Sequence, residues 1–191
     1  IYADSPMALK ALNFYREAID HASEEIRPEI ASEWLGSDPF DPGTLVELTT
    51  VDESKTVNNP QQPCIIISAS GMGTGGRVVH HLRDMLPNPK HTVIMVGYQS
   101  LGTRGRSLVD GAEFVRMHGE LVPVKAQIEQ VESFSVHADS SELIGWLNTA
   151  SEAPGRLFVV HGEAGAAETF SDRVKGQLGW KSLVPHDGQK V

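Results

Sequence analysis

The sequence lacks most of the features that mark secreted and membrane proteins. Cys64 is the single cysteine among 191 residues, so an internal disulfide is excluded. No apolar run approaches the roughly 18 residues that a membrane-spanning helix needs. The first residues, Ile1 to Asp4, carry neither the basic nor the apolar region of a secretory signal. These absences predict a cytoplasmic protein without a membrane segment, and a start inside a longer polypeptide.

Positive charge is also scarce. Lys and Arg number 16 against 25 Asp and Glu, which gives a formal net charge of −9 at pH 7. Broad binding to nucleic acid needs clustered Lys and Arg, because affinity comes from releasing the counterions of the phosphates. Any phosphate contact is therefore expected to be local or assisted by a metal ion. The hydrophobic content of 40% is that of an ordinary globular protein.

Hydrophobic periodicity predicts a helix over residues 6–30, with Pro6 at its first position. Residues 36–60, rich in Pro, Gly, Asp and Asn, predict a loop with a short edge strand near residues 44–51. A buried strand at 64–68, a glycine turn, a helix at 77–86 and a strand at 92–96 then form a βαβ unit. Short apolar parallel strands imply a sheet covered on both faces, so the predicted fold class is α/β.

The second half of the chain alternates between polar turns and short apolar runs. Its pattern predicts a loop at residues 97–111 and antiparallel strands within 114–121 and 122–131. A helix over 140–150, a strand over 156–160, a helix over 166–178 and a last strand near Val184 follow.

The glycine turn contains a G-x-G-x-x-G pattern at Gly71, Gly73 and Gly76, which alone favours a nucleotide-binding Rossmann enzyme. No carboxylate follows the strand at 92–96 to hold a ribose, and Arg77 stands where a Walker loop needs Lys. What remains is a helix N-terminus with hydroxyls nearby, which can accept a phosphate. A tight structural turn is the competing interpretation. The hydroxyls belong to Ser68, Ser70 and Thr74.

Two arginines in the loop predicted at 97–111 offer a second anion site. Arg104 and Arg106 can hold a phosphate or carboxylate with two hydrogen bonds each, and the glycines around them allow close approach to the backbone. Solvent-exposed arginines without a ligand are the simpler alternative.

Two histidines carry the strongest signal. His137 and His161 each follow an apolar run and precede a polar turn. Side chains at the carboxyl end of a buried strand project into the crevice where α/β proteins build their sites, so each is a candidate metal ligand or proton donor. Ordinary hydrogen-bonded histidines are the alternative. Adjacent His80 and His81 point to different faces of a helix, and one is expected in the core and the other exposed.

Six segments, taken in order, form a set of motifs that spans nearly the whole chain. They are Ile1-Tyr2-Ala3-Asp4-Ser5-Pro6-Met7-Ala8, Ser68-Ala69-Ser70-Gly71-Met72, Gly75-Gly76-Arg77, Gly97-Tyr98-Gln99 with Gly102-Thr103-Arg104-Gly105-Arg106, Phe134-Ser135-Val136-His137-Ala138-Asp139, and Val160-His161-Gly162-Glu163. Together they resemble the β-CASP nucleases of the metallo-β-lactamase superfamily. This family includes RNase J, the endonuclease of the eukaryotic pre-mRNA 3′ cleavage machinery, and bacterial and archaeal relatives of the latter, to which the sequence is most similar.

The resemblance implies a domain plan. Residues 1–131 correspond to a β-CASP domain without its start, a three-layer α/β unit with a mostly parallel sheet. Residues 132–191 correspond to a segment that returns to the metallo-β-lactamase domain, the C-terminal portion of its αββα fold. The family's H-x-H-x-D-H metal motif does not occur in this sequence and belongs upstream of Ile1 in the family. The 191-residue chain alone is therefore expected to bind zinc poorly and not to cut RNA.

The resemblance also implies a zinc-dependent ribonuclease with two metal ions in the full-length enzyme. His137 is then the candidate proton donor to the leaving oxygen, Asp139 orients its neighbourhood, and His161 ligates one zinc. Ser70, Arg104, Arg106 and Ser135 line the RNA groove. The implied partners are RNA, the upstream metallo-β-lactamase domain and a second copy in a homodimer. A nucleotide-cofactor enzyme of Rossmann type and a catalytically silent RNA-binding homologue are the alternatives.

Overall fold

A computed structural model describes residues 1–134 and 137–190 of the chain. It divides into two compact units, an N-terminal unit that ends at Phe134 and a C-terminal unit formed by the described residues that follow. The domain boundary predicted after residue 131 lies close to this division and stays a prediction. Within the described residues, no helix is long and apolar enough to cross a membrane.

The N-terminal unit begins with a parallel three-stranded sheet. Strand β1, Tyr2–Asp4, lies between β2, Val46–Glu47, and β3, Ile66–Ser68. Helix α1, Pro6–Asp20, follows β1 directly because the Ser5 hydroxyl accepts a hydrogen bond from the Ala8 N–H at 3.2 Å. The start at Pro6 is as predicted.

The single helix predicted over residues 6–30 is wrong in its length. Helix α1 ends at Asp20, where the backbone turns through His21 and through Ala22 with a φ of 46°. A separate helix, α2, Pro28–Trp34, begins at the next proline. Apolar residues continue with helical spacing through this turn, so periodicity alone does not locate the break.

Residues 36–60 hold a helix that the composition conceals. The edge strand expected there is present as β2, but Val51–Thr56 forms helix α3. Its start is a capping box, in which the Thr50 hydroxyl accepts from the Glu53 N–H and the Glu53 carboxylate accepts from the Thr50 N–H.

The strand, glycine turn, helix and strand predicted over residues 64–96 are confirmed, but not their pairing. Helix α4 spans Arg77–Met85 and strand β4 spans Thr92–Val96. Strand β3 pairs with β1, whereas β4 pairs in parallel with β7, Gln127–Val131. The antiparallel direction predicted for the strand within 122–131 is therefore wrong.

An antiparallel hairpin lies before β7. Strand β5, Phe114–Met117, pairs with β6, Glu120–Pro123, across a turn at His118 and Gly119. The antiparallel direction is as predicted, but the turn divides the single strand that was predicted within 114–121. Together with the parallel pairs of β1, β4 and their neighbours, the strands form a mixed α/β fold with mostly parallel sheets, which confirms the predicted fold class.

The core of the N-terminal unit lies on one side of β4. Met95 points into it, while Ile94 and Val96 are 58% and 51% exposed on the other side. Burial of both faces, expected from the apolar runs, is wrong for β4 and also for β3, where Ile67 is exposed. The core residues come from α4, β4, helix α5 (Arg104–Val109), the hairpin and the turn before β7 and are Val79, Leu82, Leu86, Met95, Leu108, Val115, Met117, Val122 and Ala126.

The C-terminal unit contains two helices and two short strands in its described part. Apolar side chains such as Trp146, 70% exposed, and Val160 face solvent. Helix α7 ends at Gly179, whose left-handed φ of 69° stops it. The elements are α6, Ser140–Leu147, β8, Leu157–Phe158, α7, Ala164–Leu178, and β9, Ser182–Leu183, which pairs in parallel with β8.

Candidate functional site

His161 occupies a strained turn between β8 and α7. Its φ is 66°, a left-handed conformation that non-glycine residues rarely adopt, and its side chain is exposed. The following Gly162 packs closely on α7, since a Cβ there would lie 3.3 Å from the Ala167 side chain. Such strain is kept where surrounding structure fixes it, and it clusters at functional sites. The imidazole lies at the surface.

His137 and Asp139 lie just before α6. His137 is exposed. Asp139 caps the helix, because its carboxylate accepts the N–H of Ser141 at 2.7 Å and of Glu142 at 2.9 Å. Backbone hydrogen bonds from Glu142 and Ser141 hold the pKa of the Asp139 carboxyl below its ordinary 3.8. The observed role of Asp139 is a helix cap, and its predicted influence on the neighbouring histidine stays a prediction.

Two substitutions of Asp139 distinguish its role as the N-cap of α6 from a role that needs its negative charge. Asn accepts the same N–H bonds as Asp, whereas Ala does not. We expect Asp139→Asn to keep the thermal stability of the C-terminal unit and Asp139→Ala to lower it, as followed by circular dichroism melting. If Asn destabilises as much as Ala, the negative charge matters more than the cap.

Ser70 lies in the glycine turn, whose conformation depends on two tightly packed glycines with positive φ. Its hydroxyl lies 3.1 Å from that of Thr74 and is exposed. Gly76 has a φ of 74°, and a Cβ there would lie 3.1 Å from the carbonyl oxygen of Ala69. At Gly73, with a φ of 63°, a Cβ would lie 3.3 Å from Leu82. These two glycines thus satisfy packing and backbone conformation without a nucleotide.

The segment with Arg104 and Arg106 is wrongly predicted as a loop, since both residues lie in helix α5, capped by Thr103. Gly105 is buried, and a Cβ there would collide with the Gln99 side chain, so this glycine serves packing instead of ligand approach. The Arg106 Nε donates to both carboxylate oxygens of Asp110 at 2.9 and 2.8 Å.

Arg104 is held by backbone oxygens. Its Nε donates to Arg116 O at 2.8 Å, and its Nη1 donates to Gly73 O and Thr74 O at 3.0 and 3.3 Å. The guanidinium therefore joins the glycine turn to the hairpin. The predicted contact of Ser135 with substrate falls outside the described residues.

A buried carboxylate, Asp4, organises a polar cluster that the sequence analysis missed. Its side chain is fully buried at the end of β1. Arg77 Nη1 lies 2.5 Å from Oδ1, and His81 Nε2 lies 2.6 Å from Oδ2. The Ser54 hydroxyl donates to Oδ2 at 2.6 Å. The cluster joins β1, α3 and α4, so it sets the position of the glycine turn against the first sheet.

The same cluster extends to the surface through Asn58. Its Nδ2 donates to Asp84 Oδ2 at 2.7 Å, which turns its Oδ1 toward His81 Nδ1 at 2.5 Å. Both His81 ring nitrogens thus face oxygen atoms, of Asn58 on one side and of Asp4 on the other. His81 is buried and His80 exposed, which confirms the prediction for this pair.

The described residues do not fit a complete zinc site. Zinc in proteins takes three or four protein ligands, and the predicted ligand His161 is a single imidazole. No group of three or more His, Cys, Asp or Glu side chains able to hold a metal occurs in residues 1–134 and 137–190.

Two family models match the chain. The Beta-Casp domain matches residues 1–108, and the Zn-dependent metallo-hydrolase RNA specificity domain matches residues 121–185. The chain belongs to the β-CASP family of metallo-β-lactamase-fold ribonucleases, which confirms the resemblance. The glycine turn lies within the first match, so the Rossmann alternative loses its basis.

Similar proteins come from bacteria and archaea. A ribonuclease of Thermus thermophilus is 36% identical over 163 residues, covering 85% of this chain and 36% of the relative. The transcription termination factor FttA of Methanocaldococcus jannaschii is 30% identical over 190 residues, covering 97% and 30%. An RNase J-like protein of the same archaeon is 34% identical over 142 residues, covering 74% and 32%. The chain spans about a third of the length of these relatives.

Proposed function

We propose that this chain is the RNA-facing part of a zinc-dependent ribonuclease that hydrolyses phosphodiester bonds. The observation that carries the proposal is the order of the two family matches, a Beta-Casp domain followed by an RNA specificity domain of zinc-dependent metallo-hydrolases. The names of its relatives, which include a ribonuclease and an RNase J-like protein, support the same class.

The roles of individual residues belong to the same proposal. His137 gives a proton to the leaving oxygen, and its exposure next to the capped start of α6 supports that role. His161 ligates zinc, and its strained, exposed turn supports it. Ser70 contacts RNA through its hydroxyl, which shares an exposed hydrogen bond with Thr74. Arg104 and Arg106 contribute less to RNA binding, because both guanidinium groups already have protein partners.

Zinc, when bound, lowers the pKa of a bound water and stabilises negative charge on phosphate oxygens. The remaining ligands and the partner domain come from a metallo-β-lactamase domain, and homodimer formation is a further part of the proposal. His137 and His161 are both present, which favours a nuclease over a silent RNA-binding homologue.

The purified chain is expected to bind RNA without cutting it. A 5′-labelled single-stranded RNA incubated with the chain and zinc should be retained on a filter and stay intact on a denaturing gel. Cleavage that a chelator abolishes would show that this chain holds a metal site of its own. It would contradict the proposal that the remaining zinc ligands come from a metallo-β-lactamase domain. RNA that is not retained at all would contradict the RNA-facing role.

A further inference from the structure

The N-terminal unit has an open groove of about 930 Å³ between α3, the start of α4 and the turn of the β5–β6 hairpin. It lies within one compact unit and contains neither His137 nor His161. The side chains of its lining that carry or can carry positive charge are Lys55, Arg77, His80, Arg83, Arg104 and His118.

The lining of the groove carries positive charge, although the protein as a whole is negatively charged. Four Lys and Arg residues line the groove, and three carboxylates pair with them, Asp4, Asp52 and Asp84, which leaves a local charge of +1 with neutral histidines. The whole chain carries −9. A concave wall concentrates this local positive potential and attracts anions despite the opposite net charge.

Part of this positive charge is available to a ligand. The charge of Arg77 is offset by buried Asp4. Lys55 pairs with Asp52 at 3.0 Å and Arg83 with Asp84 at 2.8 Å, both near the surface, where an ion pair is worth little and exchanges readily. Arg104 donates to three carbonyl oxygens and, among the described residues, pairs with no carboxylate. Its charge is thus fixed in place at the wall of the groove.

Two stacked imidazoles form another part of the groove lining. The rings of His80 and His118 lie 4.6 Å apart between centroids, 25° from parallel. Both are exposed, and neither ring has a hydrogen bond to the described part of the chain. His118 is held at the hairpin turn with a φ of 48°. Their nitrogens can donate to phosphate oxygens, and their faces can stack on a base.

We propose that this groove, whose lining includes neither His137 nor His161, binds single-stranded RNA, with Lys55, Arg83 and Arg104 contacting phosphates and the His80–His118 pair contacting a nucleotide. Unstacked bases and a flexible backbone suit the combination of cationic wall and aromatic pair, which a rigid duplex would not reach. The inference rests on the proposed function, since it specifies where that function holds its substrate.

Fluorescence anisotropy with a labelled single-stranded RNA of about 12 nucleotides tests the site on the full 191-residue chain. Lys55→Glu and Arg83→Gln should each weaken binding by about five- to tenfold, and each lost phosphate contact should reduce the slope of log K against log salt by about 0.7. The matched control is Lys175→Glu in α7, because Lys175 pairs with Asp172 at 3.1 Å with the same spacing as Lys55 and Asp52.

Separate variants test the contribution of the His80–His118 pair to RNA binding. His80→Ala should weaken binding by about threefold or more, and His186→Ala, an exposed histidine of the C-terminal unit, should leave it unchanged. His80 is exposed, so its substitution leaves the fold intact, and unchanged melting curves verify this.

Three results overturn the inference. If the unsubstituted chain binds RNA and the groove variants bind equally well, the groove is not the site, although the proposed function stands. If the unsubstituted chain binds no RNA, the proposed function is wrong, and the inference that rests on it is wrong too. If polyphosphate competes as well as RNA at equal phosphate concentration, the groove is a general anion site.

Discussion

Replacing Asp4 by alanine should lower the free energy of unfolding of the N-terminal unit by about 3–5 kcal/mol. The carboxylate is fully buried, and its removal takes this acceptor away from half-buried Arg77 and buried His81. Breaking a buried charged network from one side is costly because the remaining charge stays desolvated. Denaturant unfolding followed by circular dichroism measures the change.

Matched variants separate this network from a general effect of losing a charge. Asp52→Ala removes the exposed partner of Lys55 and should change the unfolding free energy by less than about 0.5 kcal/mol. Ser54→Ala removes one neutral donor to Asp4 and should fall between the two, at about 1–3 kcal/mol. Equal losses for Asp4→Ala and Asp52→Ala would contradict the assignment of a stabilising buried cluster.

The cluster also predicts how stability depends on pH. Burial raises the pKa of the Asp4 carboxyl, but hydrogen bonds from Ser54, Arg77 and His81 outweigh it and hold the pKa below the ordinary 3.8. A folded-state pKa below the unfolded one gives stability that is present above the unfolded pKa and lost as pH falls through the folded pKa. The unfolding free energy should therefore fall in acid more steeply for the unsubstituted chain than for Asp4→Asn.

The second large effect concerns cleavage in a chimera in which this chain replaces the matching segment of the Thermus thermophilus ribonuclease. His137→Ala should lower the rate of RNA cleavage by about 10²–10⁴-fold, the range for loss of a general acid, with zinc content unchanged. His161→Ala should lower both the rate and the bound zinc, because a metal ligand is lost.

Zinc content and cleavage rate distinguish the role of His137 from that of His161. Zinc is measured by atomic emission, and the rate by gel analysis of labelled RNA. A leaving group that needs no protonation should restore much of the rate of His137→Ala but none of that of His161→Ala. Loss of zinc in His137→Ala, or full zinc in His161→Ala, would contradict the assigned roles.

Local signals account for the elements that could be predicted. Helix α4 lies between a glycine turn and a proline, and β4 is a five-residue apolar run, so both have clear boundaries. Helix α3 was missed because six residues are too few to show a period, and its signal is the capping box at Thr50 and Glu53. Helix α5 was missed because it is equally short and lies among glycines.

Long-range contacts account for what could not be predicted. Asp4 meets Arg77 and His81, which are 73 and 77 residues away in the chain, and no periodic pattern connects them. Strand β4 pairs with β7 across a hairpin instead of with β3, and this too depends on the packing of the core. The groove at His80 and His118 brings α4 to a hairpin turn, so the stacked pair has no signature in the sequence.

Cleavage of single-stranded RNA by the unsubstituted chimera tests the central claim most directly. The account predicts zinc-dependent cleavage that a chelator abolishes and added zinc restores, although this chain alone leaves the RNA intact. A chimera that binds its full complement of zinc and is folded, yet leaves the RNA intact, would show that this chain does not serve RNA hydrolysis.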